Sequence, residues 1–279
     1  MIIQSDWHIH SESSYDATLT LEEIARKAKE QGFKQVGITD HVNFNDDKFL
    51  GNLKSSAKSV KAFQMQHPEI ILGVELTPIE KPEFDFIEKH RTREGYIPPV
   101  MENPYAIELA QTKEQLMGYG VRYAVGAAHW RVDVPFAKGL PVDIDAMIKD
   151  WYRQQLWLAC DERVTILGHP WYNGNAVWYH DFSIIPRSMN IDIAYALKEN
   201  KKYVECNEGV LCSQEASEKF RKQYAEFIRE LFEMGIPVTY GSDSHNKYAC
   251  QRNEMERILA EVGFREGDFS ELKEEDFWI

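Results

Sequence analysis

The stretch SDWHIHSESSYDATLTLEEI, residues 5–24, sets His8 and His10 one residue apart, follows them with Asp16 and runs straight into a helical pattern. H-x-H on a strand projects both imidazoles to one side, because strand side chains alternate between faces. The helix begins where Thr20 can cap, with Glu23 three residues on. Leu21, Ile24, Ala25 and Ala28 then recur at helical spacing, and Gly32 supplies a stop. The unit is a strand, ligand-type side chains at its C-terminal end, then a helix.

The unit repeats. Short apolar runs, several rich in β-branched residues, read as strands at 2–7, 35–39, 70–74, 122–127, 164–167, 203–206 and 237–240. Helical patterns cover 20–32, 143–162, 190–200, 217–235 and 253–263. Such alternation requires parallel strands with helical crossovers, and units of this number either close into a barrel or form an open sheet. No Gly/Ser-rich linker, repeat or low-complexity tract interrupts the chain, so a single domain over residues 1–279 is expected. The longest excursion, residues 77–120, is Pro-broken and charged, and reads as an insertion carrying one or two helices on the strand-end face. The acidic tail REGDFSELKEEDFWI ends in apolar residues that should dock on the body.

Composition narrows the function. The net charge is −13, from 32 basic and 45 acidic side chains. An acidic surface repels a polyphosphate backbone, so a nucleic acid duplex is not an expected partner. A small phosphorylated substrate remains compatible, because bound divalent cations reverse the local sign. Cys160, Cys206, Cys212 and Cys250 form no C-x-x-C pair, and scattered thiols fit a reducing compartment. The start MIIQSDWHIH lacks a basic and an apolar signal region, and no apolar run approaches the ~20 residues of a membrane helix. A cytoplasmic protein without a membrane partner is expected; oligomeric state is left open.

The histidines fall in a pattern. His8 and His10 end the first strand, and ITDH places Asp40 and His41 at the end of the second. GVEL places Glu75 after the third, GAAHW His129 after the fourth, LGHP His169 after the fifth, and GSDSH Asp243 and His245 after the seventh. A lone histidine is more often a hydrogen-bonded structural residue, and a strand-end acid often caps the next helix. Joint occurrence outweighs both readings, since C-terminal strand ends of a parallel α/β fold converge on one rim. Imidazole and carboxylate are ligands for Zn²⁺, Mn²⁺ and Fe. Eight or nine of them exceed the roughly three protein ligands of a single catalytic zinc. They suffice for two or three ions, a recurrent device in phosphate ester hydrolysis.

In this order, DWHIHSESSYDA, GITDHV, GVEL, AAHW, LGHP and GSDSH resemble the PHP (polymerase and histidinol phosphatase) metallophosphoesterases over almost the whole chain. The resemblance implies a distorted (β/α)7 TIM-like barrel with its metal site at the C-terminal strand ends. It assigns His8, His10, Glu75 and Asp243 to one metal, with Glu75 bridging to a second completed by His129 and His169. Asp16, His41 and His245 would hold a third. Some relatives carry His where this chain has Asp16, and an oxygen ligand there favours a harder ion such as Mn²⁺ or Fe²⁺.

The activity that the resemblance implies is that of a metal-dependent phosphatase. It would act on a small phosphomonoester through a metal-activated hydroxide, without a phosphoenzyme. Histidinol phosphate or a nucleotide-type phosphate are the candidates that the resemblance supplies. The family also includes a module of bacterial DNA polymerases, a role that the acidic charge and the lack of a further domain speak against. Asp6 and Asp40, each beside a ligand, either orient imidazoles or satisfy backbone groups.

The loops after the fourth and fifth strands hold Trp130, Arg131, Trp171, Tyr172, Trp178, Tyr179 and His180. Loop packing accounts for most of them. Arg131 is the candidate phosphate contact and His180 the candidate proton donor, with Arg91 and Arg93 as lid residues. Two rival readings are an amidohydrolase acting on C–N or C–O bonds, which commonly needs a strand-end Lys where this chain has Glu75, and a non-catalytic metal-binding module.

Overall fold

The structure, a computed structural model, describes residues 2–43, 47–80, 107–129, 143–172, 178–248 and 251–278. Strand β1 (Asp6–Ile9) leads to helix α1 (Leu21–Gln31), β2 (Val36–Ile38) and α2 (Asp47–Phe63). Next come β3 (Ile70–Leu72), β4 (Val74–Leu76), β5 (Ile79–Glu80), β6 (Ile107–Glu108), α3 (Lys113–Gly118) and β7 (Ala124–Gly126). The chain continues with α4 (Ile144–Cys160), β8 (Ile166–Leu167), α5 (Arg187–Glu199), β9 (Tyr203–Asn207), α6 (Glu208–Leu211), α7 (Glu218–Glu233), β10 (Val238–Gly241) and α8 (Arg252–Glu261).

The strands pair in parallel in the order β1-β2-β3 and β4-β7-β8-β9-β10. β3 and β4 are two arms of one strand, interrupted at Gly73. A Cβ at Gly73 would sit 2.7 Å from the ring of Tyr123, so glycine is required where the strand passes that side chain. The first arm pairs with β2 and the second with β7, which carries the sheet across the break. The ring returns on itself through the parallel bridge Ile9–Ser244. There Asp243 N–H donates to the His8 carbonyl at 2.8 Å and His10 N–H to the Ser244 carbonyl at 3.1 Å. The architecture is the distorted (β/α)7 TIM-like barrel that the resemblance implies, one of the two arrangements that the alternation alone left open.

Local chemistry explains the elements. The Thr20 hydroxyl accepts from Glu23 N–H, and Gly32 ends α1 at φ 74°, a left-handed conformation that glycine adopts without steric cost. α1 buries Leu21, Ile24, Ala25 and Ala28, its predicted stripe. α4, α5, α7 and α8 lie within the helical patterns or overrun them by a few residues. β1 is displaced from its expected position at 2–7, and its register with β2 shifts between Asp6 and Ile9. Helix α2 stands where the sequence pattern indicates no helix. Gly51 and several serines dilute it, yet Leu53, Ala57 and Val60 line its buried side.

Of the 77–120 excursion, the described parts are the antiparallel β5–β6 ribbon and the capped helix α3. The expected insertion otherwise falls on residues 81–106, outside the described residues, with Arg91 and Arg93. The C-terminal segment docks as the tail suggested: Phe277 joins Trp7, Tyr123, Val125, Ile166, Tyr203 and Leu272 in an apolar cluster, and Trp278 N–H donates to the Arg122 carbonyl at 2.7 Å. No helix among the described residues is long and apolar enough to cross a membrane.

Tyr123 is fully buried and donates its hydroxyl to the Trp7 carbonyl at 2.7 Å, one residue before His8. Tyr123→Phe leaves that buried acceptor unpaired and should lower unfolding free energy by about 1–3 kcal/mol. Urea denaturation measures it; an unchanged midpoint would show that the contact does not hold β1.

Candidate metal centre

Glu75, at the centre of β4, is fully buried and sits between five imidazoles from four strand ends. Its two oxygens divide them. Oε1 faces His8 Nε2 at 3.4 Å, His129 Nε2 at 3.2 Å and His169 Nε2 at 3.0 Å. Oε2 faces His10 Nε2 at 3.4 Å and His41 Nδ1 at 2.7 Å. Asp243, from the turn after β10, faces His8 Nε2 at 3.6 Å and His10 Nε2 at 3.2 Å through one oxygen. Asp16 reaches His41 Nε2 at 3.3 Å and His245 Nε2 at 3.6 Å through Oδ2. All nine residues expected as ligands are thus brought together at the C-terminal rim.

The spacing of these groups could hold cations. His8 Nε2 and His10 Nε2 lie 3.2 Å apart. Donors held about 2.0–2.1 Å from a tetrahedral ion are spaced by about 3.3 Å, which the observed 3.0–3.6 Å separations match. Glu75 Oε2 and His41 Nδ1 are buried and closest of all, yet neither stands in hydrogen-bonding geometry with a partner. His8–His10–Asp243, His10–His41–His245 and His41–Glu75–His129 each offer atoms that all lie within 4.8 Å of one another, the spacing of a metal-ligand set. His41 therefore stands between the second and third groups of the sequence-based assignment, not wholly in the third.

Three of the far nitrogens are held in place. His8 Nδ1 pairs with Glu205 Oε1 at 2.7 Å, His129 Nδ1 with the Thr77 hydroxyl at 2.9 Å and His245 Nδ1 with the Asp243 carbonyl at 2.9 Å. Thr77 Oγ1 donates to Asn43 Oδ1, so it accepts from His129. Each contact places a proton on Nδ1, so that when the ring is neutral its lone pair lies on Nε2, turned to the cluster.

Burial opposes ionisation of Glu75, but His129, His41 and His8 outweigh it and hold the carboxyl well below the usual range. Burial likewise opposes the charge on Asp243 and Asp16; His8 and His10 lower the first, His245 and His41 the second. Burial pushes His10 down to about 3, reinforced by His41. Against the same burial, Glu205, Glu75 and Asp243 raise His8 well above its ordinary value, and Glu75 and Asp16 raise His41 to about 10.

Several sequence readings are resolved. Asp6 accepts from the backbone N–H of His8 and Ser242, and Asp40 from the N–H and hydroxyl of Ser11; both serve backbone, not imidazoles. Trp171, Trp178 and Tyr179 are core residues, as loop packing implied. Tyr172 packs beside His169, ring centroids 4.9 Å apart. His180 is exposed, its carbonyl accepting from the Ser217 hydroxyl at 2.8 Å. Trp130 and Arg131 lie outside the described residues. The sequence reading missed Glu205, Asn207, Thr77 and Asn43, all buried; a glutamate inside the apolar run YVECN was the available signal.

A model of the family described as "PHP domain" matches residues 6–264. Among curated proteins, DNA polymerase III subunit alpha of Aquifex aeolicus (strain VF5) is 36% identical over 69 residues, a match spanning 24% of this chain and 5% of that protein's length. Among solved structures, histidinol phosphate phosphatase from Lactococcus lactis subsp. lactis Il1403, complexed with Zn, L-histidinol and phosphate, superposes with a TM-score of 0.66. That match is at 17% identity and covers 99% of each chain.

Metal uptake should release protons. In the metal-free protein His41 holds its proton up to about pH 10 and His8 well above its ordinary value, whereas a ligand imidazole must be neutral. Apparent affinity for Zn²⁺ or Mn²⁺ is therefore expected to rise between pH 6 and 9, roughly tenfold per unit per proton released. Calorimetry in buffers of different ionisation enthalpy gives the count. A value of zero at pH 7 would remove the protonated pair from the picture.

Proposed function

The chain belongs to the PHP domain family, and from that premise we propose that it is a metal-dependent phosphoesterase hydrolysing a small phosphomonoester. The observation that carries the reading is that both oxygens of Glu75 are lined by imidazoles drawn from all three proposed groups, which suits a carboxylate shared by neighbouring cations. His8, His10, Glu75 and Asp243 would hold one ion, Glu75, His129 and His169 a second, and Asp16, His41 and His245 a third. When bound, such ions supply Lewis acidity toward phosphoryl oxygens and a lowered pKa for water.

The chain's own residues prepare the rest. Glu205, Thr77 and the Asp243 carbonyl keep three imidazoles in the tautomer whose lone pair faces inward. Glu75 and His10 are sealed from solvent, whereas Asp16, His245 and Asp243 remain 31%, 26% and 19% exposed. Substrate therefore approaches from that side. The opening is bordered by Tyr15, whose ring lies 5.5 Å from that of His41. Arg131, immediately beyond a ligand in sequence, is proposed to fork onto the phosphate, and His180 to protonate the leaving alkoxide. The bridging position belongs to a glutamate, which supports this reading over an amidohydrolase built on a strand-end lysine.

Histidinol phosphate is the proposed first substrate to assay, beside nucleoside monophosphates. Phosphate release should vanish after chelation and return with Mn²⁺, Zn²⁺ or Fe²⁺. His41→Ala should lower kcat/KM by more than about 100-fold, beyond the loss typical of groups that only orient ligands. Stoichiometric metal with no turnover on a broad phosphomonoester panel would favour a binding module instead.

A further inference from the structure

Glu205 stands in the middle of β9, a strand to which the sequence assigned no functional residue. Its side chain is 1% exposed. Oε1 meets His8 Nδ1 at 2.7 Å, while Oε2 accepts from His169 N–H at 2.5 Å and from Asn207 Nδ2 at 3.2 Å. His8 and His169 both face Glu75 Oε1, their rings stacked with centroids 5.8 Å apart, in the groups proposed for different ions. His169 is also held at φ 22°, a conformation that L residues rarely adopt.

Room for this carboxylate is built into the next strand. A Cβ on Gly241 of β10 would lie 1.7 Å from Glu205 Oε1 and 2.7 Å from His8 Cβ. Asn207 extends the array, its amide placed 3.2 Å from Glu205 Oε2 and 3.3 Å from Asp243 Oδ2.

We propose that Glu205 is a positioning residue that couples two metal-ligand groups, fixing the His8 tautomer with one oxygen and the strained His169 backbone with the other. The inference rests on the metal-centre reading. It draws on a property that only a carboxylate offers: acceptors at both ends. An amide has one acceptor end. Turned to serve His169 N–H, its NH₂ faces His8 Nδ1 and drives the proton to Nε2, where a ligand lone pair is needed. Turned the other way, it leaves His169 N–H facing a donor.

The test is titration of the chelator-treated protein with Zn²⁺ and Co²⁺, following stoichiometry by calorimetry and ligand field by the Co²⁺ absorption spectrum, with circular dichroism as the check on folding. Glu205→Ala should weaken at least two equivalents together, by about 10- to 100-fold, and alter the Co²⁺ spectrum. Glu205→Gln should weaken at least one to the same extent. Gly241→Ala, which changes no functional group, should reproduce the Glu205→Ala pattern by displacing the carboxylate. Thr77→Val, which among the proposed ligands touches only His129, should weaken a single equivalent. Wild-type protein that takes up no metal would overturn the metal-centre reading itself. Wild-type uptake of two or more equivalents, with folded Glu205→Ala or Gly241→Ala losing affinity for one or none, would overturn the coupling role alone.

Discussion

A carboxylate without solvent is the constraint around which this protein is organised. Glu75 is completely enclosed, and its charge is held there only because imidazoles from several strand ends converge on it. An isolated buried carboxylate would take up a proton instead. The surrounding design comes from keeping that group ionised. Three of the surrounding imidazoles have an acceptor behind Nδ1, supplied by Glu205, Thr77 and the Asp243 carbonyl, which fixes their orientation toward the cluster. The opposite end of the barrel is filled by the apolar cluster of Trp7, Tyr123 and Phe277. One end of the ring is thus packed for rigidity and the other for charge.

Much of this was legible from residue order, for a physical reason. Parallel strands with helical crossovers present all their C-terminal ends on one rim, so a ligand-type residue after each apolar run identifies the site without any contact being known. His8, His10, His41, Glu75, His129, His169, Asp243 and His245 were readable in that way. Strand boundaries were less so. The interruption at Gly73 lies against Tyr123, about fifty positions away in sequence, and the register shift between β1 and β2 leaves no local signal. Groups that act through a ligand were least visible. Glu205 sits inside a strand, Thr77 resembles any threonine near a proline, and Asp6 and Asp40 adjoin ligands in sequence yet bond to backbone. Adjacency along the chain says little about which atom a carboxylate faces.

Strain is concentrated at the same rim. His169, Trp171 and Asp243 adopt φ of 22°, 61° and 51° without being glycine. The backbone N–H groups of His169 and Asp243 are both tied down, to Glu205 and to the His8 carbonyl. Conformations of this kind persist where the surroundings over-determine them. The ligand positions are therefore set largely by the framework, which lowers the reorganisation required when a cation is captured.

The closure between Ile9 and Ser244 has a consequence for biosynthesis. A ribosome lays down the H-x-H pair early, but Asp243 and His245 emerge more than two hundred codons later. Until then the nascent polypeptide lacks both the strand that completes the ring and two of the oxygen and nitrogen donors at its mouth. Any product cut short of that point carries an open-edged sheet and a partial cage. The full set of donors that would hold cations exists only once the turn after β10 has been made.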